Sequence, residues 1–152
     1  MTCQDNEILL NNVLIQMSRS FLQYVAESSP WVRAEASSLD DQIQVLAERQ
    51  RQSVGRIVEL LTTREYFIDF GSFPTEYTDL QFLSLQTLIK GLKTSQQKIC
   101  RQIGVAVESL RTAGDAEGAE VMAQVEIFER DTLQALEEIS VELEKPPQPV
   151  AS

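Results

Sequence analysis

Apolar residues recur every three or four positions along four long stretches of the chain, and no stretch shows a sustained strand-like alternation. This pattern predicts four amphipathic helices. The first runs from about Asn6 to Ala26, with Leu10, Leu14, Met17, Phe21 and Tyr24 on one stripe, Asp5 as N-cap, and Ser28-Ser29-Pro30 as its stop. The second begins near Leu39, where Ser38 and Asp41 make a capping-box pattern, and its stripe reads Leu39, Ile43, Leu46, Gln50, Ser53, Ile57 and Leu61. The third follows Thr78 and Gln81, carries Leu85, Leu88, Leu92, Gln96, Ile99, Ile103, Ala106 and Leu110, and stops at Gly114. Gly91 and Gly104 weaken this helix, which predicts close packing at both points. The fourth opens at Asp115 and presents Met122, Val125, Glu129, Leu133, Leu136, Ile139 and Leu143.

The connections set the expected topology. Only Ala113, Gly114 and Asp115 separate the third and fourth helices, so these form an antiparallel hairpin. Between the second and third lie the thirteen residues Glu65 to Tyr77. Extended at roughly 3.3 Å per residue they reach about 40 Å, the length of a helix of about 25 residues, so a lengthwise crossover is expected. The expected fold class is therefore all-α: a four-helix bundle of two antiparallel hairpins joined by a long crossover. The connection holds Tyr66, Phe67, Phe70, Phe73 and Tyr77, five of the nine Phe and Tyr residues. So much aromatic surface predicts a strap lying on its own bundle, on another subunit, or on both. Residues 1–145 read as a single bundle, and the Pro-rich tail 146–152 as disordered.

Composition narrows the function classes. A chain of 152 residues fits one domain and needs no metal or disulfide to fold. Cys3 and Cys100 do not make a disulfide framework, and the first apolar run, Ile8 to Ile15, is neither a signal peptide nor a membrane span. A protein beginning at Met1 and staying in the cytoplasm, off the membrane, is the expectation. The net charge of −10 argues against nucleic-acid binding. That charge is uneven: residues 86–111 carry five basic residues against Glu108, a net of +4, and residues 115–145 carry ten acids against Arg130 and Lys145, a net of −8. Either these two neighbouring helices face each other partly through charge, or the acidic one meets a basic partner.

Candidate chemistry is sparse. The chain has no histidine, which removes Ser-His-Asp and Cys-His nucleophile systems in their usual form, and it has no Gly-rich phosphate loop or Cys-x-x-Cys pair. Cys100 reads as a small core filler, or, beside Lys98 and Arg101, as a thiol of lowered pKa. Trp31 reads as a plug at one bundle end. No cluster reads as catalytic. What stands out is polar residues on apolar stripes: Gln50, Ser53, Gln96 and Glu129. If they are buried, Glu126 or Glu129 is expected to pair with Lys93 or Arg51, while Gln50 and Gln96 hydrogen-bond across the core. A helix phase different by about 100° would turn the same groups to the surface instead.

Two hairpins and one crossover is the ferritin-like plan, and the sequence resembles that superfamily, its bacterioferritins and rubrerythrins in particular. The stretch Leu14-Ile15-Gln16-Met17-Ser18-Arg19-Ser20-Phe21-Leu22 is similar to the first helix of bacterioferritins, and Val125-Glu126-Ile127-Phe128-Glu129-Arg130-Asp131 to the fourth-helix Glu-Glu-x-His-Ile-Asp region. The resemblance implies six metal ligands at mid-bundle. Its alignment puts Val13 and Lys93 where two of the glutamates belong, reads the second helix as either Glu48-x-x-Arg51 or Gln50-x-x-Ser53, and leaves Glu126-x-x-Glu129 in the fourth. The expectation is a degenerate site with no cofactor, in a non-catalytic protein that acts through assembly as a homodimer or larger homo-oligomer, or through an unknown protein partner. The alternative is a carboxylate-only iron or manganese site for storage or oxidation, built from Glu48, Glu126 and Glu129. A third class is an enzyme with an unfamiliar carboxylate site.

Overall fold

The computed structural model describes residues 3–28, 37–72 and 85–144, which form five helices: α1 (Cys3–Ser18), α2 (Phe21–Ser28), α3 (Ser37–Thr63), α4 (Leu85–Thr112) and α5 (Ala116–Glu144). Among the described residues there is no strand, and no helix is long and apolar enough to cross a membrane. The fold is an all-α bundle. The tail, Trp31, the expected start of the third helix after Thr78 and the connection beyond Ser72 lie outside the described residues.

The expected first helix is two helices. After Arg19 closes α1 by donating to the Ile15 carbonyl, Ser20 leaves helical geometry, and its hydroxyl accepts the Gln23 amide at 3.2 Å to cap α2. Ser20-x-x-Gln23 is itself a capping-box spacing inside what reads as one continuous amphipathic stripe. Around this break the laterals are simple: α1 and α2 lie against α3 and α4, and α5 lies against α3 and α4.

The core is two apolar clusters. One gathers Phe21, Val25, Ile43, Leu46, Leu92, Leu136 and Ile139. The other gathers Leu10, Leu14, Met17, Ile57, Leu61, Ile103, Leu110, Met122 and Val125. Along α3 and α4 residue numbers rise from the first cluster to the second, and along α1–α2 and α5 they rise the other way. Hence α3 and α4 run in one direction, and α1, α2 and α5 in the opposite one. Gly91 does mark a close approach, since a Cβ there would come within 2.9 Å of the Phe21 ring; one on Gly104 would come within 3.0 Å of the Glu126 carboxylate.

Both long helices before the connections end in the same six-to-one turn. Tyr66 donates to the Leu61 carbonyl and Glu65 to Thr62; Asp115 donates to Leu110 and Gly114 to Arg111. Gly114 takes the left-handed position of the second turn at φ 78°, but Glu65 holds it in the first at φ 57°. A left-handed glutamate is strained by roughly 1–2 kcal/mol, part of which glycine loses again through unfolded-chain entropy. Glu65→Gly is expected to stabilise the fold by up to about 1 kcal/mol in urea unfolding.

Beyond that turn, residues 66–72 lie along the outside of α1. Asn11 grips the strap twice, its amide donating to the Asp69 carbonyl at 2.9 Å and its side-chain oxygen accepting the Asp69 amide at 3.0 Å. Further on, Arg19 donates to the Phe70 carbonyl, and Gly71, at φ 70°, sits where a Cβ would lie 2.7 Å from Ile15. Tyr66 and Ile68 pack on the second cluster. Phe67 and Phe70 do not: they are 93% and 45% exposed, so the strap lies on its bundle while showing two aromatic rings outward.

Candidate functional site: a polar belt at mid-bundle

On α3, α4 and α5, buried polar residues interrupt the apolar stripe at the level between the two clusters. On α3, Ala47 belongs to the first cluster and Ile57 to the second, with Gln50 and Ser53 between them; on α4, Gln96 separates Leu92 from Ile99; on α5, Glu129 and Thr132 separate Val125 from Leu136. Ser20, at the break of the first helix, completes the level between Met17 and Phe21. All of these polar residues are buried, so the helix phase that turns Gln50, Ser53, Gln96 and Glu129 inward is the one the fold adopts.

A chain of hydrogen bonds crosses the belt. Ser20 donates to Gln50 Oε1 at 2.7 Å, and Gln23 Nε2 donates to the same oxygen at 3.0 Å and to the Ala47 carbonyl at 2.8 Å. Gln50 Nε2 in turn faces Gln96 Oε1 at 3.3 Å and Glu129 Oε2 at 3.5 Å. Gln96 Nε2 closes the chain, donating to Glu129 Oε2 at 2.8 Å and to the Glu129 carbonyl at 3.0 Å. The expected Gln50–Gln96 bond is present. The expected cation is not: Glu129 is held by amides, Glu126 pairs with Arg130 at 3.2 Å, and Arg51 pairs with Glu48 at 2.7 Å while donating to Gln23 Oε1. Lys93 is half-buried one residue beyond Leu92, off the inward stripe.

The electrostatics follow from that arrangement. Glu129 is 0% exposed and its Oε1 has no hydrogen-bond partner. Burial raises its carboxyl from 4.5 to about 7, against the opposing pull of the Gln96 and Gln50 hydrogen bonds and the Arg49 charge. Cys100, buried one turn beyond Gln96, is pushed up to about 11 by burial and by the negative Glu129 and Glu126, so the lowered-pKa reading of this thiol is overturned.

No family profile, curated protein or solved structure matches it.

The sequence-predicted ligands are not brought together. Glu48 lies exposed in its ion pair with Arg51, Glu126 is mostly covered beside Arg130, and only Glu129 is in the belt. Among the described residues no group of three or more His, Cys, Asp or Glu side chains is placed to hold a metal ion. In α3 it is Gln50 and Ser53, not Glu48 and Arg51, that face the core, and Val13 is buried in the second apolar cluster. The donor set does not suit two metal ions: one carboxylate is met by amide N–H groups, which present protons where a cation needs lone pairs.

A second polar constellation, unforeseen in the sequence, sits at the α3–α5 corner. Arg64 forms a bidentate pair with Asp115 at 2.8 Å on both oxygens, with Glu7 and Glu117 each at 3.7 Å. Asp115 also accepts the Gly118 amide at 2.9 Å, capping α5 as expected. The Arg64 guanidinium holds the Asp115 carboxyl below its usual 3.8.

Proposed function

We propose that this chain is a ferritin-like bundle whose mid-section is a structural plug, and that it works by associating with copies of itself or with a protein partner rather than by chemical turnover. The order of the two clusters along the helices supports two antiparallel hairpins joined by a crossover, and the strap along α1 supports the path of that crossover. The observation that carries the functional reading is the donation of two amide groups into the sole belt carboxylate, between two apolar clusters. Exposed Phe67 supports the association. One observation favours the carboxylate-metal alternative: the buried, unpartnered Oε1 of Glu129 offers lone pairs. Elemental analysis together with light scattering separates the two. The proposal expects an oligomer carrying no stoichiometric iron or manganese; about one tightly bound ion per chain, or a monomer at every concentration tested, overturns it.

A further inference from the structure

Resting on the reading that the chain self-associates, we infer that the outward ridge of α4, with the neighbouring edge of α1, pairs with the same surface of a second copy across a two-fold axis. This face carries a shallow groove of about 950 Å³ lined by Asp5, Ile8, Leu9, Arg101, Val105 and Glu108, among others. A second hollow of about 500 Å³ continues it from Leu9 toward Lys98. Two apolar side chains stand open here, Val105 at 65% and Ile8 at 42% exposure.

Three features point to a copy of this chain as the occupant. First, α1 places apolar side chains on two sides: Leu10, Val13, Leu14 and Met17 face the core, and Ile8 and Leu9 line the groove. A helix with apolar residues on both sides is one that packs on both sides. Second, the chain carries −10, so two copies repel over most of their surfaces, yet this face sets Lys98, Arg101 and Arg130 against Asp5 and Glu108 and carries no net negative charge. Third, the charges are placed for self-pairing. When two copies of one helix cross antiparallel on a two-fold axis, residues equidistant from the axis face each other reciprocally. With the axis between Gly104 and Val105, Arg101 faces Glu108 of the second copy, and Glu108 faces its Arg101. Val105, which stands open to solvent, then lies next to the axis and meets the second copy at its own Gly104–Val105 step. Arg101, Gly104, Val105 and Glu108 share one helical face by their three- and four-residue spacing.

Light scattering and sedimentation of the full chain and three variants test this. Wild type is expected to be a dimer. Val105→Glu places two carboxylates on the axis and is expected to give a monomer of unchanged helical content by circular dichroism. Arg101→Glu, which sets like charges opposite each other twice, is expected to weaken dimerisation roughly tenfold or more, and Arg101→Glu with Glu108→Arg to recover most of the loss. A dimer that both Val105→Glu and Arg101→Glu leave intact overturns this surface while sparing the assembly reading. A monomeric wild type overturns both. Mass that climbs without limit as concentration rises overturns the two-fold pairing, and so does a double variant no tighter than Arg101→Glu alone.

Discussion

Glu129→Gln is expected to make the protein more stable at pH 8 by about 3 kcal/mol, and at pH 5 by less than about 1 kcal/mol. The magnitude follows from a carboxyl raised from 4.5 to about 7, at 1.36 kcal/mol for each tenfold change in proton affinity. The sign follows from proton counts. Between those two values the folded state binds the proton and the unfolded state does not, so stability falls as pH rises through this window and is lowest once Glu129 ionises in the fold. Glutamine keeps an oxygen for the Gln96 and Gln50 amides and removes the charge. For a chain of this size the gain corresponds to roughly 6–12 °C in melting temperature. Urea unfolding of both proteins at pH 5 and pH 8 checks it; equal stabilities at pH 8 would mean that the carboxylate is well solvated.

The second large effect is expected at the α3–α5 corner. Asp115→Ala removes the cap of α5, worth about 1 kcal/mol. It also takes the bidentate partner from a guanidinium whose side chain is only 20% exposed. Charge-assisted bonds of this kind contribute about 1.5–3 kcal/mol, so a total loss near 3 kcal/mol is expected, less whatever Glu7 and Glu117 recover from 3.7 Å. Arg64→Lys keeps the charge without the fork, and is expected to lose about half as much. Because the fold depresses the Asp115 carboxyl, its contribution is complete above 3.8 and disappears as pH falls through the lower folded value. The two sites act in opposite directions along the pH axis. Their joint contribution is expected to peak at about pH 4, above the acid loss at Asp115 and before the fall that begins as pH rises past 4.5, the unfolded value of Glu129.

Periodicity made the helices, the inward phase of the four belt residues and the Gly91 approach legible, because each of these is a property of one helix stripe. The break at Ser20 was hidden for the same reason: Leu14, Met17, Phe21 and Tyr24 keep a helical spacing straight through it, and only the Ser-x-x-Gln spacing marks it. The partners of the belt were legible only in part. Gln50 and Gln96 share a stripe pattern, but which group answers Glu129 depends on the rotation of three helices about one another, and there amides took the place assigned to Lys93 or Arg51. Arg64 with Asp115, and Asn11 with Asp69, join residues 51 and 58 positions apart and leave no local signal. The charge contrast between α4 and α5 found neighbours, as one reading expected. Their ion pairs nevertheless run along each helix, Glu108 with Arg111 and Glu126 with Arg130.

The central claim is that the belt holds a proton, not a metal, at Glu129. Difference infrared titration of the Glu129 carboxyl, isolated by subtracting the Glu129→Gln spectrum and run with and without added manganese, tests it most directly. A cation that binds there competes with the proton and drags the midpoint down. The account predicts a midpoint of about 7, unmoved by manganese. A midpoint at the ordinary 4.5, or one that falls when manganese is added, would contradict it.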